Sequence, residues 1–361
     1  MQNFLINYLN DKPEKMISYA EYMNLVLYHP KLGYYMREGE KIGRNGDYIT
    51  SSNMADIFGR TFARWYAGQV KIQSYSPQVC EMGAGNGRFA KAFLEEWYGS
   101  GNPEINYFIL EKSPYHIKQQ KELFEEKWKV HQIEDLAELR EFNGLFFSNE
   151  LFDALPVHVV KKQQGQLFEI MVSSERDQLT ETEVPLRNEE IYAFIAQHKV
   201  MIAEGQRIEI PLNMEEIILQ IDEVLTEGMI VTVDYGYTND EWKEPIRRDG
   251  SLRGYYQHRL INNVLMNPGE MDLTSHIHWD ALENIGEKYH FRKVGKWRQD
   301  EFLLSIGILD ELESHNDPNP FSEVNKRNRA IRSLIMPSGI STAFQVLVQE
   351  KRSRLGQGRQ A

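Results

Sequence analysis

The segment from Gln78 to Trp97 constrains this chain more than any other. A short apolar stretch, Val79 to Met82, runs into Gly83-Ala84-Gly85-Asn86-Gly87 and then into helical spacing from Arg88. Glycines so placed let the backbone turn sharply and approach a ligand with no Cβ in the way. Strand, glycine loop and helix in that order open a Rossmann-like α/β sheet, which binds ligands beyond the carboxyl ends of its strands. The alternation continues downstream. Asn106 to Leu110, Val130 to Ile133, Gly144 to Ser148, Met229 to Val233, a stretch near Val294 and Phe344 to Val348 read as strands. Helical patterns cover Pro114 to Lys127, Met214 to Leu225 and Asp280 to Lys288 between them. The unbroken apolar run Leu145-Phe146-Phe147 suits a strand buried on both faces of a parallel sheet.

Two interruptions and a leader surround this core. Met16, Tyr19, Met23 and Val26-Leu27 recur at helical spacing within residues 1–77, which read as an N-terminal helical segment covering the cleft. Val157 to Val160 and Leu167 to Val172 form a hairpin pattern around Gln163-Gln164-Gly165-Gln166. The expected organisation is a core of 78–156, 207–234 and 278–350, with 157–206 and 235–277 inserted as a lobe that shapes the substrate site.

The chemistry starts at the loop. The dinucleotide fingerprint requires G-x-G-x-x-G, whereas position 88 is Arg and the spacing is G-x-G-x-G. Such a loop is less committed to a pyrophosphate. Glu81, two positions before the first glycine, also disfavours a phosphate and favours a cationic or zwitterionic ligand. Glu111 ends the next strand, where a carboxylate can accept hydrogen bonds from both ribose hydroxyls of an adenosine. Together these residues point to S-adenosylmethionine (SAM), which has a sulfonium and an amino group and no phosphate. The expected cofactor-binding residues are Glu81, Gly83, Ala84, Gly85, Gly87 and Glu111; the competing readings are an NAD enzyme or a relic loop without ligand.

The fourth strand ends in Ser148-Asn149-Glu150-Leu151-Phe152-Asp153-Ala154-Leu155-Pro156. Methyl transfer asks mainly for positioning, and Asn149, Glu150 and Asp153 are the candidates to hold a nitrogen nucleophile. A guanidinium suits paired carboxylates, because its planar fork is matched bidentately. Asn149 and Asp153 have a competing role as caps of a following turn or helix. Asp234 ends the fifth strand and either faces the substrate channel or precedes a turn made by Gly236.

These strings resemble the MidA family of class I SAM-dependent methyltransferases, related to a mitochondrial complex I assembly factor that methylates protein arginine. The resemblance runs almost end to end. It is carried by Gly33-Tyr34-Tyr35, Gly46-Asp47-Tyr48-Ile49-Thr50, the Glu81 loop, Asn149 through Pro156, Asp234-Tyr235-Gly236, Ser251-Leu252-Arg253 with His258, and Pro268 through His276. It implies a seven-stranded class I methyltransferase sheet, a second lobe, SAM as cofactor and a protein substrate. It further implies Gly46, Asp47 and Thr50 in the cofactor or substrate cleft and Asp272 and His276 in the substrate pocket. The chain departs from the family at Thr50-Ser51-Ser52-Asn53, where Thr-Ala-Pro-Glu is usual, and at Ala84 and Asn86, where Pro and Arg are common.

Charge and cysteine usage narrow the partners. A net charge of -12 speaks against a nucleic-acid partner and suits a basic polypeptide. The single Cys80 excludes an intrachain disulfide and reads as a buried structural thiol. No apolar run is long enough for a bilayer and the first residues lack a signal-peptide core, so no membrane partner and a cytoplasmic location are expected. His258, His276 and His278 with Asp272 match no zinc spacing, and no metal is expected. A homodimer is compatible with all of this. The favoured function is methylation of a protein arginine nitrogen; the alternatives are a small-molecule N- or O-methyltransferase and a non-catalytic, SAM-binding assembly factor.

Overall fold

The computed structural model describes residues 1–39, 56–314, 317–319, 322–336 and 343–352. They divide into two compact units. The first takes in residues 1–39, Phe152–Ile217 and Gly236–Ile285; the second takes in residues 56–151, Ile218–Tyr235 and those from Gly286 onward.

The strands read from the sequence assemble into the sheet of the second unit: β1 (Gln78–Met82), β2 (Asn106–Leu110), β3 (Lys129–Ile133), β4 (Phe142–Asn149), β5 (Leu225–Tyr237), β6 (Arg292–Arg298) and β7 (Phe344–Lys351). Their spatial order is β3-β2-β1-β4-β5-β7-β6. The first five are parallel, and β7 is antiparallel to both of its neighbours. This is the α/β, seven-stranded methyltransferase plan expected above. The order reverses at β1 and β4, so the ends of these two strands flank the switch point at which such sheets hold ligands.

Helices α1 (Ile57–Gln73) and α2 (Arg88–Gly99) pack together over one face of this sheet. Gly59 lets them approach closely: a Cβ there would lie 2.7 Å from the Phe89 carbonyl oxygen. Phe89 stacks on Phe147 of β4 at 4.2 Å between centroids, and Phe62, Phe93, Trp97 and Tyr107 complete a fully buried aromatic layer. Burial of each such ring contributes about 1.5–3 kcal/mol. That layer explains why residues 56–77 belong with the sheet and do not join the first N-terminal helices, as the sequence reading grouped them.

In the first unit, helices Gln2–Asp11 and Tyr19–Tyr28 pack with an antiparallel sheet whose strands are Met16–Ser18, His158–Gln163, Gln166–Glu175, Gln178–Pro185 and Arg207–Ile210. The hairpin at 157–172 is present, with Gln163 paired to Gln166 across Gln164-Gly165. A further three-stranded sheet joins Arg253–Tyr256, Arg259–Ile261 and Asp272–Thr274.

Candidate active site

The loop between β1 and α2 takes its shape from three left-handed glycines, with φ of 71° at Gly83, 55° at Gly85 and 76° at Gly87. Any other residue at these angles is disfavoured by its Cβ. Gly83 donates its N–H to the Leu110 carbonyl at 2.9 Å, which ties the loop to the end of β2, and Gly87 donates to Ala84 at 3.0 Å. Ala84 is partly buried against the core of the second unit. The Glu111 carboxylate accepts the Gly85 N–H at 2.9 Å and the Ser113 N–H at 2.8 Å. His116, near the start of α3 (Pro114–Leu123), lies 3.7 Å from the same carboxylate.

Two polar side chains support this loop without having been singled out in the sequence. Gln120 of α3 is fully buried; its amide donates to the Gly85 carbonyl at 2.6 Å and its oxygen accepts from Gln132 of β3 at 2.6 Å. Tyr107 of β2, also fully buried, donates its hydroxyl to Glu81 at 2.7 Å. An amide on a buried helical face and a phenol in the middle of an apolar strand are unusual enough to be noticed, but nothing local to either residue names its partner.

Glu81 is only 4% exposed. Burial pushes its carboxyl up to about 8, with Glu111 adding to the rise and the Tyr107 hydrogen bond opposing it. A buried carboxyl whose neighbours are a phenol and another carboxylate is suited to a cation. The glycine-shaped cradle and this donor set therefore fit a ligand bearing positive charge and no phosphate. Glu111 also lines a pocket of about 660 Å³, with Lys112, Pro114, Ile117, Lys118 and Glu134 among its other walls.

At the end of β4, Asn149 donates its amide to Glu150 at 3.2 Å. Glu150 itself has a left-handed φ of 51° and donates its N–H to Val233 of β5 at 2.9 Å. The strand therefore stops at a sharp bend with both side chains at its carboxyl end. Asp234 follows on β5, fully buried, and its carboxylate accepts the Tyr235 N–H at 2.9 Å.

Asp153, Asp272 and His276 belong to the first unit. No helix follows Asp153 for it to cap; it is buried in a turn, and its carbonyl accepts the Ser275 N–H at 2.8 Å. Asp272 is buried at the start of a strand and accepts a hydrogen bond from Tyr35. The His276 ring stacks on Tyr237 at 4.5 Å, and its basicity is lowered to about 3 by burial and by Arg253 and Arg247. Gly46, Asp47 and Thr50 lie outside the described residues.

A parallel sheet with a reversed strand order, an antiparallel β7 inserted between β5 and β6, and a glycine cradle beside Glu81 and Glu111 fits the adenosyl-cofactor class of α/β transferases. Residues 61–296 match the family of S-adenosyl-L-methionine-dependent methyltransferases, and the chain belongs to that family. It is an enzyme whose cofactor is SAM.

Relatives and solved structures agree. The chain is 27% identical to the Drosophila melanogaster protein arginine methyltransferase NDUFAF7 homolog, mitochondrial, over 92% of this chain and 80% of that protein. It is 26% identical to the mouse protein arginine methyltransferase NDUFAF7, mitochondrial, over 81% and 71%. A Burkholderia thailandensis protein solved with S-adenosyl-homocysteine bound superposes with a TM-score of 0.87 at 26% identity, covering 97% of this chain and 92% of that one. The mitochondrial names of the fly and mouse relatives overturn the cytoplasmic expectation, which rested on the single cysteine, the lack of a bilayer-length apolar run and the missing signal-peptide core.

Proposed function

We propose that this enzyme methylates an arginine nitrogen of a protein partner, using SAM held at the Glu81 loop. Glu81, Gly83, Ala84, Gly85, Gly87 and Glu111 would hold the cofactor, which supplies an electrophilic methyl group when bound. The acceptor would be held by the chain's own carboxylates. The observation that carries this reading is the bend at the end of β4, which sets Asn149 and Glu150 together beside the β1 strand end.

A guanidinium stays protonated at neutral pH. Its attacking nitrogen must be aimed at the methyl group while the rest of the cation stays stabilised. The Glu150 carboxylate can hold the planar cation by charge-assisted hydrogen bonds. Asn149, bonded to Glu150, restricts the carboxylate's orientation. In this reading Asp234, near the end of β5, contributes to recognition of the acceptor. The protein names of the relatives support a polypeptide acceptor, and the net charge of -12 suits a basic one.

The test is to incubate the enzyme with radiolabelled SAM and an extract from its own source, then hydrolyse the labelled material and identify the modified amino acid. Label in methylarginine of a protein band supports the reading. Label only in small molecules would replace it with small-molecule methylation, and no transfer by an enzyme that binds SAM would replace it with a non-catalytic role.

A further inference from the structure

Glu81 sits on β1 with its side chain on the face covered by α2. Its register partner on β4 is Phe147, and on β2 it is Ile109. Tyr107 lies two residues before Ile109 and so shares that face, in contact with Phe93 at 5.6 Å between ring centroids. From there its hydroxyl reaches diagonally to the Glu81 carboxylate. The titratable groups acting on Glu81 are Tyr107 and Glu111 of the neighbouring strand and its end, with Cys80 adjacent in sequence; the ring neighbours from α2 and β4 are apolar. A phenol placed in the middle of an otherwise apolar layer needs a partner, because an unpaired buried hydroxyl is costly. Here the partner is the acidic residue of the cofactor loop.

We propose that Tyr107 is a positioning residue for the cofactor: its buried phenol orients the Glu81 carboxylate and stabilises its anionic form, which a cationic cofactor requires. This rests on the reading that SAM binds at the Glu81 loop. Without cofactor, burial and the nearby Glu111 raise the Glu81 carboxyl to about 8, which favours its protonated form at pH 7. When a ligand with a protonated amino group binds, the carboxyl ionises and the proton is released to solvent. The Tyr107 hydroxyl donates to the anion and is not itself deprotonated, since burial and Glu81 raise it well above the ordinary phenol range.

The experiment compares wild type with Tyr107→Phe, which keeps the ring and its packing, by calorimetric titration with S-adenosylhomocysteine from pH 6.5 to 9. This ligand lacks the reactive sulfonium and keeps the amino group. Without the phenol, Glu81 ionises about one pH unit higher, so binding at pH 7 weakens about tenfold. The loss shrinks toward unity as the pH rises past the Glu81 value of about 8. Titration of the ligand's own amine cancels in the ratio of the two proteins. In a Glu81→Gln background, Tyr107→Phe has no further pH-dependent effect on affinity.

A loss independent of pH, or equally large in the Glu81→Gln background, reduces Tyr107 to a packing residue and overturns the proposal. So does unchanged affinity in the variant. A thermal melt of each protein separates these outcomes from misfolding. If wild-type affinity is instead unaltered by Gly85→Val, it is the location of the cofactor that fails, and the two failures are told apart.

Discussion

The Glu111 carboxylate accepts the N–H of Gly85 at 2.9 Å, so the residue proposed to hold the ribose also fixes the glycine loop. One carboxylate oxygen can serve a backbone donor and still accept from a ligand hydroxyl, because each has two lone pairs. Glu111→Ala should therefore weaken SAM and S-adenosylhomocysteine alike, since both carry the ribose. The loss of charge-assisted hydrogen bonds amounts to roughly 1.5–3 kcal/mol, about tenfold or more in affinity. Calorimetry that finds equal affinity in the variant would sink the assignment.

Gly85 has a φ of 55°, in the left-handed region. Valine is strongly disfavoured there, and its side chain would enter the cradle. Gly85→Val is expected to lower cofactor affinity by at least about tenfold. The informative comparison is between affinity and thermal unfolding: a folded variant with wild-type affinity would place the cofactor elsewhere.

The reach of the sequence can be judged from the same residues. The sheet was legible because continuous apolar runs such as Leu145-Phe146-Phe147 announce strands buried on both faces, and the loop because its glycines are required by positive φ. Two hairpins escaped notice for the opposite reason. Their turns, Arg176-Asp177 and Gln257-His258, take left-handed angles without any glycine to signal them. The hydrogen bonds from Tyr107 to Glu81 and from Gln120 to Gly85 escaped because they join residues 26 and 35 positions apart. Periodicity reports which face a side chain takes, not the polar atom it meets there.

Acid sensitivity follows from two histidines of the first unit. Burial lowers His276 to about 3 and His278 to about 4; His278 Nε2 is also 2.7 Å from the Glu209 carbonyl, to which it donates. An unfolded histidine takes its proton near pH 6.5. Between that value and the folded ones the unfolded chain binds more protons, so stability falls as the pH is lowered through this window. Each histidine contributes a slope of up to ~1.4 kcal/mol per pH unit. His278→Phe removes one of them. Chemical unfolding at stepped pH values should show a shallower fall for the variant between pH 6.5 and 4; parallel curves would mean that His278 is not held neutral by the fold.

The decisive substitution for the proposed chemistry is Glu150→Gln. The bend that presents Glu150 is made by the backbone, through its left-handed φ and the N–H bond to Val233, so a glutamine can occupy the same place. What it loses is charge. Asn149 would still find an oxygen to bond, but a guanidinium would meet a neutral amide where it had met an anion. Stabilisation that favours the transition state appears in turnover more than in cofactor affinity. SAM binding should stay within about threefold of wild type, while methyl transfer to the native partner falls on the order of 100-fold. Because the guanidinium keeps its charge throughout the working pH range, raising the pH should not rescue the variant. Wild-type turnover in Glu150→Gln would remove Glu150 from catalysis and, with it, the main structural reason for preferring arginine as the acceptor.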